Sequence, residues 1–192
     1  MKNIILASAS PRRRELLKQV GISFDTAISD YDESSYEFGD DIVKDVVNIA
    51  INKVMRSRSL KSKDAIIIGA DTIVELNGTV YGKPKDRTDA GIMLAALNGA
   101  VHRVITGLAA LDTDTGILKT SYEITEVQFI ELTSDEIDSY LDSGEYVDKA
   151  GAYAIQGTGA LLVRKINGCY YNVVGLPLTN LMGLLKDMGV VF

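Results

Sequence analysis

Three consecutive isoleucines, Ile66-Ile67-Ile68, constrain the fold more than any other stretch of this chain. Side chains along a strand alternate between the two faces of a sheet, so an unbroken apolar run must be covered on both. Strand patterns and helix patterns alternate through the rest of the sequence, which predicts an α/β fold. Residues 3–6 read as a short buried strand. Ser10-Pro11 then opens a helix, with Ser10 as N-cap and Pro11 at the first helical position, and Gly21 stops it. Residues 23–28 read as a second strand and 30–40 as a polar loop. Over 42–58 the spacing predicts a helix in which Ile42, Val46, Ile49 and Lys53 share one stripe. Strands at 73–76 and 79–81 flank the hairpin signal Asn77-Gly78. A helix over 88–97, β-rich runs over 102–111 and 117–132, and a helix over 134–141 follow. A second Asn-Gly hairpin joins 161–166 to 169–174, and a helix over 177–188 closes the chain. Long hairpins within an α/β pattern predict a mixed, twisted sheet with flanking helices. The chain reads as one domain over 1–192, and any smaller lobe falls at about 77–145.

Composition removes several chemistries. The chain holds one cysteine, Cys169, and one histidine, His102. Zinc sites of four cysteines, of paired cysteines and histidines, or of three histidines cannot be built within one chain, and no intrachain disulfide can form. A Ser-His-Asp or Cys-His device would have to use His102, so acid–base work falls to carboxylates and lysines. His102 itself reads as structural, and Cys169 as inert. With 26 acidic against 20 basic residues the net charge is −6, which disfavours nucleic acid as a partner. No apolar stretch approaches the ~20 residues of a membrane span, and the first apolar run is too short for a signal peptide. The expectation is a cytoplasmic protein without a membrane partner.

Five stretches combine residue types that chemistry needs. Ser8-Ala9-Ser10-Pro11-Arg12-Arg13-Arg14 puts three arginines in the first turn of a helix, where the dipole disfavours cations unless an anion sits among them. Free N–H groups, serine hydroxyls and guanidinium forks suit phosphate oxygens; a solvated basic turn is the alternative. Gly69-Ala70-Asp71-Thr72 places a carboxylate at the end of the isoleucine strand, the edge where α/β sheets bind ligands. Asp71 there either holds a divalent metal, takes a proton from water, or caps a turn. Gly82-Lys83-Pro84 stiffens a turn that presents Lys83 as a point charge, without the glycine frame of a Walker loop. Lys53 lies on an apolar stripe, either snorkelling to water or facing an anionic site. The glycine-rich stretch Asp148-Lys149-Ala150-Gly151-Ala152-Tyr153-Ala154-Ile155-Gln156-Gly157-Thr158-Gly159 carries one amide, Gln156, whose paired donor and acceptor can read a base edge. Glu33, in the acidic loop Asp30-Tyr31-Asp32-Glu33, reads by itself as solvated surface.

Taken in order, these stretches resemble a known family. Residues 6–17, from Leu6-Ala7-Ser8 to Glu15-Leu16-Leu17, are similar to the N-terminal signature of the Maf proteins, nucleoside triphosphate pyrophosphatases. Gly69-Ala70-Asp71-Thr72, Gly82-Lys83-Pro84, Asp148-Lys149-Ala150-Gly151-Ala152-Tyr153 with Ile155-Gln156-Gly157, and Val174-Gly175-Leu176-Pro177 match the same family in the same order, so the resemblance runs from about residue 3 to residue 185. It implies an elongated α/β fold like that of the inosine triphosphate pyrophosphatases, with two lobes around a cleft. It implies hydrolysis of dTTP and UTP, or of modified pyrimidine nucleotides, to the monophosphate and pyrophosphate with Mg2+ or Mn2+. The family's proton acceptor falls on Asp71, and its phosphate- and metal-side residues fall on Ser8, Arg12, Arg13, Glu33, Lys53 and Lys83, with Glu33 and Asp71 toward the metal. Arg12, Thr72 and Gln156 match positions tied to substrate choice in the branch acting on dTTP and UTP. The branch preferring 7-methyl-GTP has Trp after the proline, Ser-Asp-Gln at the acidic motif and Glu near the amide, none of which this chain carries. Ala154 departs from the family pattern, standing where glycine is common. A homodimer is implied by the resemblance alone. The family's link to septum formation supplies the alternative, a nucleotide-binding regulator of cell division without turnover; another is the same reaction on a different modified nucleotide.

Overall fold

The computed structural model describes residues 2–58 and 64–191. In chain order the elements are β1 (Asn3–Leu6), α1 (Pro11–Gln19), β2 (Asp25–Thr26), α2 (Ile42–Arg58), β3 (Ala65–Leu76), β4 (Thr79–Tyr81) and α3 (Arg87–Leu97). Then come β5 (Val101–Asp112), β6 (Leu118–Phe129), α4 (Ser134–Asp142), β7 (Val163–Asn167), α5 (Tyr170–Val174) and α6 (Leu178–Asp187). Short 3-10 turns lie at Glu33–Ser35, Ala150–Ala152 and Gly157–Leu162. Among the described residues the strands form one seven-stranded sheet in the order β2-β1-β3-β5-β6-β7, with β4 paired to β3. β1 runs parallel to β2 and β3, whereas β4 is antiparallel to β3 and β7 to β6, so the sheet is mixed as predicted. Among the described residues no helix is long and apolar enough to cross a membrane.

The chain divides into two compact units. One comprises Met1–Asp71, Thr106–Glu123 and Gly175–Phe192. Its core joins Ile5 and Ala7 to Ala50, Val54, Ile67, Ala109 and Leu111. Ile66, Ile67 and Ile68 are all fully buried, as the sequence demanded; each contributes about 2 kcal/mol from the area removed from water. Two glycines bring α2 down onto the sheet. A Cβ on Gly69 would lie 2.6 Å from the Ala50 carbonyl oxygen, and one on Gly107 would lie 2.6 Å from that of Val46. Without those side chains the α2 backbone rests directly on β3 and β5, close enough for a lysine on α2 to reach along β3.

The other unit comprises Thr72–Ile105 and Ile124–Val174. Val74, Leu94, Leu97, Phe129, Tyr140, Leu141 and Tyr153 build its core. His102 belongs to that core: its Nε2 lies 2.8 Å from the Tyr153 hydroxyl and its ring meets Phe129 edge-on. Burial pushes its pKa down to about 4, which leaves a neutral, structural imidazole at pH 7.

Three elements differ from the sequence expectation. The strand expected over 23–28 is only Asp25–Thr26, paired as Ile5↔Asp25 and Leu6↔Thr26, and the end of β1 at Leu6 leaves residues 27–28 no strand partner. Residues 66–68 and 73–76 belong to one twelve-residue strand, so Asp71 sits inside β3 and not at its end. The expected hairpin arm over 169–174 is helical at Tyr170–Val174. There the Cys169 carbonyl accepts from the amides of Asn172 and Val173, and Thr125 Oγ1 bonds the Cys169 backbone on both sides. Asn172 is buried and donates to Thr125 Oγ1 and the Val104 carbonyl, which fixes the turn as a helix.

Candidate active site

The sheet itself marks where a ligand belongs. β1 has β2 on one side and β3 on the other, so the winding of the chain reverses between β1 and β3. Open α/β sheets bind ligands outside the carboxyl ends of the strands at such a switch point. The β1–β3 ladder ends at Leu6↔Ile68, and the Ala7 amide adds a last bond of 2.7 Å to the Ile68 carbonyl. Beyond it the chain leaves β1 through Ser8 and enters α1, while β3 runs on to Asp71. The carboxylate is thus past the end of its neighbour, although not at the end of its own strand.

Four charged side chains of the first unit gather at this point. Lys53 Nζ lies 2.6 Å from Asp71 Oδ1, 2.6 Å from Glu33 Oε1 and 3.3 Å from the Ala70 carbonyl oxygen. Lys53 is only 5% exposed, so its ammonium does not snorkel to water but is paired with these two carboxylates. Arg13 is the inward-turning member of the arginine triplet. Its Nη1 donates to the Ala70 carbonyl at 2.8 Å and to Ser8 Oγ at 3.4 Å, and its Nε donates to the Gly175 carbonyl at 2.8 Å. Ser10 caps α1 by accepting from the Arg13 amide, and Ser8 Oγ accepts from the Ser10 amide at 3.2 Å. Arg12 lies half-buried in the same turn. Desolvation raises the Asp71 pKa above the ordinary carboxylate value; Lys53 opposes the rise, Glu33 adds to it, and Arg13 opposes it. Burial likewise lowers the Arg13 pKa, against the pull of Asp71 and Glu33.

Thr72, Lys83 and Gln156 belong to the second unit. Thr72 follows Asp71 in β3 and is half-buried. Lys83 is exposed on a turn whose preceding carbonyl, that of Gly82, accepts from the Gly151 amide at 3.0 Å. The Gly82-Lys83-Pro84 motif and the 148–153 motif are therefore held together. Gly151 has φ +66°, and a Cβ there would lie 2.8 Å from Val74, so glycine is required. Gln156 is exposed in the extended residue before the 3-10 turn Gly157–Leu162. Sequence reasoning missed what holds this segment. Glu145 accepts from the Thr158 amide (3.0 Å), the Thr158 hydroxyl (2.8 Å) and the Gly159 amide (3.1 Å). The Tyr140 hydroxyl accepts from the Ala154 amide at 3.3 Å. The signal available was the glycine cluster 151, 157 and 159, since repeated glycine marks close approach by something packed on the turn.

Comparison with known proteins decides the kinship. The model of the family described as Maf-like protein matches residues 3–188. The chain belongs to the Maf family. A dTTP/UTP pyrophosphatase of Clostridium botulinum (strain Hall / ATCC 3502 / NCTC 13319 / Type A) is 50% identical over 192 residues, covering 99% of each chain. Its counterpart in Acetivibrio thermocellus is 48% identical over 195 residues, covering 99% of this chain and 97% of its own. A solved nucleoside-triphosphatase / dITP/XTP pyrophosphatase of Mycobacterium abscessus overlays on 74% of this chain and 95% of its own, with a TM-score of 0.42 and 13% identity. The mixed sheet described above, not that overlap, establishes the fold class of this Maf-family chain.

Proposed function

We propose that the chain hydrolyses dTTP and UTP, or modified pyrimidine nucleotides, to the monophosphate and pyrophosphate. The observation that carries this reading is the Asp71 carboxylate, buried at the β1/β3 switch point and held by Lys53 at 2.6 Å, in a chain half identical over its length to dTTP/UTP pyrophosphatases. A carboxylate whose pKa is raised is a stronger proton acceptor once ionised. Asp71 takes a proton from water as that oxygen bonds to the α-phosphorus. The bond from the α-phosphorus to the bridging oxygen breaks, and pyrophosphate leaves with the electron pair. Lys53 holds Asp71 in place and adds positive charge, while Ser8, Arg12, Arg13 and Lys83 are the residues proposed to supply donors and charge to the triphosphate. Arg12, Thr72 and Gln156 select the nucleotide.

A divalent cation fits the donor set. Among the described residues no three His, Cys, Asp or Glu gather for a metal. Asp71 and Glu33 both reach Lys53 Nζ and so form a pair of hard oxygen donors. Mg2+ is commonly held by one or two carboxylates and completed by substrate phosphates and water. When bound, Mg2+ or Mn2+ would offset phosphate charge. The test is a panel of canonical and modified nucleoside triphosphates with either cation, with products separated. Monophosphate and pyrophosphate, formed fastest from dTTP and UTP, are expected. Diphosphate and orthophosphate, or nucleotide binding without turnover, would overturn the proposal.

A further inference from the structure

We infer that Glu145 is a positioning residue that sets base selectivity by fixing Gln156. The inference rests on the proposed reading of the base by Gln156. An amide discriminates between bases only if its donor and acceptor are held in place; a mobile one presents either group to either base. Gln156 lies on an exposed segment, so its own surroundings do not fix it. Its backbone is pinned two residues before and two residues after. Before it, the Ala154 amide donates to the Tyr140 hydroxyl. After it, the Thr158 amide and hydroxyl, with the Gly159 amide, converge on the Glu145 carboxylate at 2.8–3.1 Å. Both anchors come from α4 and the turn that follows it, and Tyr140 is part of the buried core of its unit. Gly157 has φ +67°, and a Cβ there would lie 2.7 Å and 2.9 Å from the two Glu145 carboxylate oxygens. The residue after Gln156 thus makes room for the carboxylate itself. Backbone donors hold the Glu145 pKa below the ordinary carboxylate value, so the clamp is ionised and at full strength at neutral pH.

The experiment compares kcat/KM for dTTP with that for dATP in the wild type, Gln156→Ala, Glu145→Ala, Glu145→Gln and the double variant Glu145→Ala/Gln156→Ala. Loss of one placed hydrogen bond to the base is worth about tenfold, so Gln156→Ala is expected to lower the dTTP/dATP ratio about tenfold. Glu145→Ala should lower it by a similar factor, and the double variant by no more than either alone, because both act on one contact. Glu145→Gln keeps an oxygen acceptor and should recover part of the ratio. Thermal unfolding of each variant verifies the fold. A purely structural Glu145 would lower kcat/KM for both nucleotides equally. That result, or an unchanged ratio in Glu145→Ala beside a collapsed one in Gln156→Ala, overturns the inference alone. An unchanged ratio in Gln156→Ala overturns the reading of the base and this inference with it.

Discussion

Replacing Lys53 by Met is the sharpest probe of the charged cluster. Met keeps an unbranched apolar stem on the inner face of α2, so packing changes little and the ammonium is what disappears. Lys53 bonds Asp71 and Glu33 at 2.6 Å each, and the Asp71 side chain is only 7% exposed. Without the lysine, Asp71 must either stay ionised beside Glu33, with Arg13 as its remaining counter-charge, or take a proton. Protonation limits the penalty. Each pH unit above an ordinary carboxylate pKa of about 3.9 costs about 1.4 kcal/mol, so the loss is at most about 4 kcal/mol at pH 7 and about 1.5 kcal/mol at pH 5, less what the raised pKa of Asp71 already costs the wild type. The figure at pH 7 agrees with the ~3–5 kcal/mol seen when one partner of a buried pair is removed. The sign follows from linkage. The variant raises the folded-state pKa of Asp71, so the folded chain binds more protons than the unfolded one. Stability is therefore lost as pH rises toward neutrality and regained as pH falls toward the unfolded pKa. For a chain of this size about 2–4 °C accompanies each kcal/mol, so the Tm should fall by up to roughly 10 °C at pH 7 and by no more than roughly 4 °C at pH 5. Calorimetry of the variant against the wild type at the two pH values checks this. Equal melting at pH 7, or a deficit of the same size at both, would refute the electrostatic account of Lys53.

Asp71→Asn should behave in the opposite way: turnover falls about a thousandfold, while the Tm holds or rises, because a costly buried charge is gone and Lys53 keeps Glu33. Product assays and calorimetry together test it, and a folded variant with wild-type kcat would remove Asp71 from the reaction. Gly69→Ala pushes a methyl to within 2.6 Å of the Ala50 carbonyl oxygen and Val54; it should cost about 1–3 kcal/mol and lower kcat by carrying Lys53 away from Asp71, measured by urea unfolding and steady-state kinetics. Asp112 has its pKa pulled down to about 2, chiefly by its bond to Lys2. Its stabilising contribution is therefore complete above the ordinary carboxylate value and lost as pH falls toward 2, so Asp112→Asn should flatten the acid limb of the stability profile between those pH values.

What was legible in the sequence follows a physical rule. Residues that break a local preference are visible one by one, because the violation must be compensated somewhere. Lys53 on an apolar stripe declares a partner, and the structure supplies Asp71 and Glu33; the arginine turn declared an anion, and within the chain Arg13 donates instead to two backbone carbonyls. Ile66-Ile67-Ile68 and Asn77-Gly78 were legible for the complementary reason: strand burial and hairpin chemistry agree there with the local pattern. The misread elements were settled by remote groups. Thr125, on another strand, turns 170–174 into a helix. β3 runs through a buried aspartate whose charge is met by Lys53 from α2, a partner that lies 18 residues away in the chain. Glu33 and Glu145 obey every local rule for a polar turn, so no preference is broken and nothing flags them; only the known family pointed to Glu33. Their importance arises when the fold sets one carboxylate against a buried ammonium and the other against three donors beside Gln156. Substitutions at such rule-abiding positions should alter function with little effect on isolated helix or turn propensity, which is why kinetics, not stability alone, must be read at Glu145.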